Sequence, residues 1–443
     1  MTLGSLAVWN RRICSGFLIC FSIAANVVAA DNEPPAGFRA LFNGKDLQGW
    51  HGVTTENPRK MAEMTPEERI EVRKKSLEDV NQHWSVQSGE LVNDGLGLYL
   101  TSDDSFGDYE LFISYKTVPK ADSGIYLKGT PQVQIWDRTD EKNIKLGGEK
   151  GSGGLWNNSD GRPGKDPLAV MDKPFGEWNS FRIRQLGART NVFLNGKIVV
   201  DYATLENYFD RKQPLIVRGP IQLQTHGGEI RWKNIFVREI PSSEAHSILA
   251  NDGFTPIFDG KSLTGWSGAV DNYEVADGTI RCKAGKGGVL FTREEFGDFI
   301  VRLEFKVPPG GNNGLAIRYP GEGDAAYGGM CELQVLDNDA PQYSKLDPRQ
   351  YHGSAYGMVP AARGYQRPAG EWNFQEVTVI GSTIKVELNG SLILDTDLAP
   401  ITDLMANSPH PGKDRKQGHF GFAGHNDPVE FRNLRIKELS TLR

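Results

Sequence analysis

Two six-residue stretches carry the same alternation of apolar and polar side chains. They are Gln132-Val133-Gln134-Ile135-Trp136-Asp137 and Glu332-Leu333-Gln334-Val335-Leu336-Asp337. Val133/Ile135 and Leu333/Val335 lie two apart and share one face of a strand, so Gln132/Gln134/Trp136 and Glu332/Gln334 share the other. One greasy face and one hydrogen-bonding face predict strands of a sheet covered on one side only, with Asp137 and Asp337 at the strand ends. The same period of two runs through Tyr109/Leu111/Ile113/Tyr115, Phe299/Val301/Leu303/Phe305 and Ile384/Val386/Leu388. Leu194-Asn195-Gly196 and Leu388-Asn389-Gly390 mark hairpin turns, because Asn and Gly tolerate positive φ. One stretch departs from this pattern. Thr65-Pro66-Glu67-Glu68 is a capping box with Pro in the first turn, and Ile70, Leu77 and Val80 follow as a narrow stripe. It predicts one helix of roughly 16 residues within an insertion at about 56–82.

The pattern also repeats on a larger scale. Leu41-Phe42-Asn43-Gly44-Lys45-Asp46-Leu47-Gln48-Gly49-Trp50 returns as Ile257-Phe258-Asp259-Gly260-Lys261-Ser262-Leu263-Thr264-Gly265-Trp266. Phe106-Gly107-Asp108-Tyr109 returns as Phe296-Gly297-Asp298-Phe299, and Gly176-Glu177-Trp178-Asn179 as Gly370-Glu371-Trp372-Asn373. His226 with Asn234 matches His425 with Asn433. The order never changes, so the chain is a tandem duplication. The offset is 216 residues at Trp50/Trp266 and 189 at Trp84/Tyr273, which places 27 extra residues, the helical insertion, in the first copy. Many short strands with turn signals and almost no helix predict an all-β fold of two β-sandwiches. The first is expected over 31–241, a linker over 242–253 and the second over 254–443. Trp178 and Trp372 are expected in the cores.

Composition narrows the function classes. Arg11 and Arg12 precede an apolar run that ends Val28-Ala29-Ala30, so residues 1–30 read as a signal peptide and the protein as secreted or periplasmic. Without those two arginines, 48 basic side chains face 56 acidic ones, a net charge of −8. No basic stripe stands out, which excludes nucleic acid as the expected partner, and no membrane association is expected after the leader is removed. Cys282 and Cys331 are the cysteines left after the leader, either bridged or buried as thiols. No His-x-x-x-His pair, cysteine cluster, nucleophile elbow or dinucleotide glycine loop is present, so no catalytic metal and no cofactor is expected, and a structural calcium is left open.

With these residues collected, each half resembles the 3-keto-disaccharide hydrolase-like family. The matching elements are the Phe-Asn/Asp-Gly-Lys-x-Leu-x-Gly-Trp opening and the segments Ser123, Gly124, Lys128 and Asn313, Gly314, Arg318. To these are added the Glu-x-Gln-x-x-Asp strand, Gly-Glu-Trp-Asn, Leu-Asn-Gly and the closing His…Asn segment. The resemblance implies tandem concanavalin A-like jelly-roll sandwiches and action on 3-keto-glycosides. It also implies a partner oxidoreductase that makes the ketone. The first copy departs from the pattern at Gln132, where the family has Glu.

Sugar recognition calls for aromatic rings against pyranose faces and for planar polar groups on adjacent hydroxyls. The candidates are Lys128, Gln132, Gln134, Trp136, Asp137 and His226 in the first copy, and Gln334, Asp337, Arg318 and Tyr356 in the second. A glycoside oxidised at C3 has an acidified C2–H, because the carbanion left behind is an enolate. A base can remove that proton, the anomeric oxygen then leaves, and water adds. The route needs a base (Glu332 or His425), an electrophile for the enolate oxygen (Arg318) and an acid for the leaving oxygen (His352 or Tyr356). The expected function is an exported hydrolase or lyase of 3-keto-glycosides with the second copy catalytic and the first mainly binding. The alternative is a two-site carbohydrate-binding protein without turnover. A two-carboxylate glycosidase ranks lower, since Glu332 and Asp337 lie on one strand and its end.

Overall fold

The computed structural model describes residues 31–250 and 253–439. The expected leader lies outside the described residues. Each repeat is a sandwich of an eight-stranded and a five-stranded antiparallel sheet, and the strand order is the same in both. In each repeat the strand of the matched six-residue stretch lies at the edge of the smaller sheet. In the first repeat its order is Trp50–Val53, Tyr99–Ser102, Gln222–Leu223, Asp122–Leu127, Thr130–Trp136. In the second it is Trp266–Gly268, Gly287–Phe296, Gly418–His425, Asn312–Tyr319, Cys331–Leu336.

The alternation read from the sequence sorts the faces. Val133 and Ile135 in one copy, Leu333 and Val335 in the other, are buried between the sheets. Each such side chain taken from water contributes about 1.5–3 kcal/mol. Thr65 and Glu68 form the expected capping box, reciprocally bonded, and open the helix Pro66–His83. A second, shorter helix, Pro58–Glu63, precedes it. The stripe is narrower than expected. Val80 is buried against Trp84, whereas Ile70 is 64% exposed. Trp178 and Trp372 lie outside the cores as well, on the outer face of the larger sheets, with Lys233 Nζ 4.5 Å and Arg432 Cζ 3.9 Å from their ring centroids.

The repeats touch through two hairpin turns. A Cβ on Gly187 would lie 2.4 Å from Asn389 O, and one on Gly390 2.4 Å from Leu186 O; both glycines have positive φ, so no other residue fits this backbone-to-backbone approach. Arg189 pairs with Glu387 beside them. The segment Ser242–Leu249, between the repeats, is a helix whose Ala245 and Leu249 pack with Leu186, Ile240 and Phe374. Cys282 and Cys331 are free buried thiols. Among the described residues no helix is long and apolar enough to cross a membrane.

Candidate functional site

On the outer face of the second repeat's smaller sheet, Glu332 pairs across the ladder with Ala316, and Gln334 with Gly314. Gly314 leaves room that Glu332 fills: a Cβ there would stand 2.0 Å from Glu332 Oε1. Ala316, Ala325, Ala423 and Phe291 form a small apolar cluster on this face. Burial therefore raises the Glu332 carboxyl above its ordinary range, with His425 opposing the shift. His425, at the end of Gly418–His425, holds Nε2 3.7 Å from Glu332 Oε1 and is half-exposed. The carboxylate in turn raises the imidazole, against the effect of burial.

Three groups complete the surroundings. Gln334 Nε2 donates to Asn312 Oδ1 at 2.6 Å and to Asn313 O at 3.2 Å. Tyr356 donates its backbone N–H to Glu332 O at 2.9 Å, and its hydroxyl accepts from Gln350 Nε2 at 3.1 Å, which leaves the phenolic proton free. Tyr327, on the short helix Ala325–Gly328, lies close enough to Tyr356 and Glu332 that both push its phenol further up, after burial.

The first repeat builds the same face differently. Gln132 stands in the place of Glu332, and its Nε2 donates to Gln134 Oε1. Gln134 Nε2 donates to Asp122 Oδ1 at 2.8 Å, and the other carboxylate oxygen meets His226 Nδ1 at 2.7 Å. Asp122 thus raises His226, with burial opposing.

Several expected residues are placed elsewhere. Arg318 is fully buried, and its donors are consumed by Gly297 O (2.9 and 2.8 Å), Gly381 O (2.6 Å), Arg415 O (2.8 Å) and Asp298 Oδ1 (2.9 Å). It ties turns together and cannot reach an enolate. Lys128, its counterpart, is buried with Nζ on Gly187 O at 2.9 Å, and burial lowers it to about 8. His352 lies inside the sandwich, stacked on Phe305 at 4.8 Å, and burial lowers it to about 4, so it is no acid for a leaving group on the outer face. Asp137 and Asp337 cap turns. The first accepts from Lys120 N (2.9 Å) and Thr139 N (2.7 Å), the second from Gly310 N (2.8 Å). Trp136 faces outward as expected, but its Nε1 donates to Gly151 O at 3.1 Å and Trp156 covers it edge-on, so it offers no free platform. The structure therefore unites Glu332, Gln334, His425 and Tyr356, and separately Gln132, Gln134 and His226. Asn312, Tyr327 and Asp122 escaped the sequence reading. Asp122 was detectable, lying two residues before Gly124 on the same face. Among the described residues no group of three or more His, Cys, Asp or Glu is arranged to hold a metal ion.

The fold and these two faces define a duplicated β-sandwich with a carboxylate–imidazole pair on one open sheet. The family model of the 3-keto-alpha-glucoside-1,2-lyase-like domain matches residues 37–238 and again 253–437, and the chain belongs to that family. A 3-keto-disaccharide hydrolase of Bacteroides thetaiotaomicron is 30% identical over 229 residues, 42% of this chain and 79% of that protein. A Parabacteroides distasonis structure provisionally described as a glycosyl hydrolase is 24% identical, covers 45% of this chain and 99% of its own, and has a TM-score of 0.38. The carbohydrate-binding module CBM66 of Bacillus subtilis is 13% identical, covers 39% and 96%, and has a TM-score of 0.27.

Proposed function

We propose that the second repeat cleaves 3-keto-glycosides by elimination and hydration, while the first mainly binds saccharide. The observation that carries this reading is the Glu332–His425 pair, a buried carboxylate facing a half-exposed imidazole on the open sheet. Glu332 as carboxylate takes the C2 proton, and the C–H electron pair becomes the enolate at C2–C3. The Tyr356 hydroxyl, free to donate, stabilises the enolate oxygen. The enolate electrons then form the C1–C2 double bond as the C1–O bond breaks, and His425 protonates the departing oxygen. Water adds at C1 and the proton returns to C2, giving net hydrolysis. The ketone must come from elsewhere, so an oxidoreductase acting at C3 is the implied partner, and the leader expected at 1–30 would export the protein.

The reaction needs Glu332 deprotonated and His425 protonated. Both are raised, so the pH profile should be a bell whose acidic limb lies above 4.5 and whose alkaline limb lies above 6.5, reporting the pair rather than either residue. The test is release of nitrophenol from a nitrophenyl 3-keto-glucoside by the full chain. Glu332→Gln should lose roughly 10²–10⁴-fold in turnover while still binding substrate. Unchanged release by that variant removes Glu332 from the chemistry.

A further inference from the structure

The two outer faces differ in the hydrogen bonds they leave unmade. In the first repeat, Gln134 Nε2 is surrounded by three acceptors, Asp122 Oδ1 at 2.8 Å, Ser123 O at 3.2 Å and Ile135 O at 3.3 Å. That surrounding fixes the amide: its nitrogen must point at them and its oxygen at Gln132. Gln132 must then present its own NH₂ to Gln134, which turns Gln132 Oε1 the other way. That oxygen is buried and has no donor. Gln224 Oε1, buried just past the end of the neighbouring strand Gln222–Leu223, also has none. Both project over Gly124, where a Cβ would lie 2.8 Å from the first and 3.1 Å from the second, so the missing side chain leaves room that the two acceptors share. The carboxylate nearby, Asp122, already accepts from Gln134 on one oxygen and meets His226 on the other.

A buried acceptor without a donor is costly, and a ligand that supplies the proton recovers that cost. A sugar hydroxyl has such a proton. A ring ketone is an acceptor only, and would set its lone pairs against those of the two amides. The second repeat has neither amide here: Glu332 replaces Gln132, and Ala423, paired with Gly314, stands in the place of Gln224. We infer that the first repeat is a saccharide site selective for the unoxidised ring, its diol donating to Gln132 and Gln224 over Gly124, so that the two repeats sort intact and 3-keto sugar between them. The inference rests on the reading that these sheet faces take saccharides.

The full-length protein is titrated by NMR with methyl α-glucoside and, separately, with its 3-keto derivative. The intact glucoside should bind at least about tenfold tighter than the ketone at a site that survives Glu332→Gln. Gln132→Leu and Gln224→Leu, on two different segments of the chain, should each weaken it roughly fivefold to a hundredfold, the value of one buried acceptor. Thermal melts of both variants verify that the repeat is folded. Equal affinity for the two sugars, intact-glucoside binding indifferent to both substitutions in folded protein, or binding abolished by Glu332→Gln would each overturn the inference. Failure of the catalytic reading is recognised separately, as absence of wild-type turnover on the 3-keto substrate while this binding persists.

Discussion

Arg318 offers a sharp separation between support and catalysis. Its guanidinium is fully buried, donates to three backbone carbonyls and pairs with Asp298, which is itself 20% exposed. Arg318→Met would keep the bulk of the side chain and strand those acceptors. Breaking one partner of a buried ion pair costs about 3–5 kcal/mol. Asp298 retains water and the Gly381 N–H at 2.8 Å, so the lower end applies. For a repeat of this size, each kcal/mol moves the midpoint by about 2–4 °C, which gives a drop of roughly 6–12 °C for the second repeat. Arg318→Lys should fall less, because Lys128 holds the equivalent place in the first repeat with one bond to Gly187 O. The assay is differential scanning calorimetry of the full chain beside turnover measured well below the transition. A variant that melts with wild type yet loses a hundredfold in turnover would show that the guanidinium serves the substrate, and the structural account would be wrong.

Gly314→Ala removes no chemical group, and Gly314 has an ordinary backbone, but the new Cβ would fall 2.0 Å from Glu332 Oε1 and 2.4 Å from Cγ. The carboxylate must swing away, and turnover should fall about a hundredfold with the fold intact; activity within twofold of wild type would show that its position is immaterial. His352 should govern part of the acid sensitivity. Burial lowers it to about 4 from 6.5, so the unfolded chain binds its proton first and stability is lost as pH falls from 6.5 towards 4. The contribution is at most about 3 kcal/mol. His352→Leu should flatten that limb in chemical denaturation at pH 7 and pH 4.5; an unchanged slope would place the titration elsewhere.

The duplication, the paired faces of the strands and the Thr65 capping box were all legible, because each is a local pattern of side chains on a regular backbone. Arg318 shows where such reading stops. It has the parity of Gly314 and Ala316, which face outward, but its φ is 47° and the ladder with Gly418–His425 shifts between Ala316 and Tyr319. A bulge of that kind turns the next side chain off its face. Lys128, with φ of 53° after a shift between Ile125 and Leu127, is displaced in the same way. For Trp136 the face was right and the exposure wrong, because the loop through Gly151 and Trp156 folds back over it, a tertiary event with no strand-period signal. His352 comes from a loop whose path into the core no periodicity announces.

The two repeats keep one His and one carboxylate on this face, but the carboxylate has changed strands. In the first copy it is Asp122, opening its strand, where it accepts from Gln134 and meets His226. In the second the corresponding place is Asn312, whose amide oxygen holds Gln334 at 2.6 Å, and the acid has moved to Glu332. Both solutions orient the central glutamine identically. Their consequences differ, because a carboxylate hydrogen-bonded at close range on both oxygens is held in its charged form and is the weaker base toward a substrate proton. Glu332 has its charged partner at 3.7 Å, and burial dominates its titration. A base must be poorly solvated and incompletely paired to be worth protonating, and only the later copy meets both conditions. Gln132 in the first copy therefore does more than delete an acid. By donating to Gln134 it leaves its own buried oxygen unpaired, and exchanges a face that can take a proton for one that can only be given a hydrogen bond.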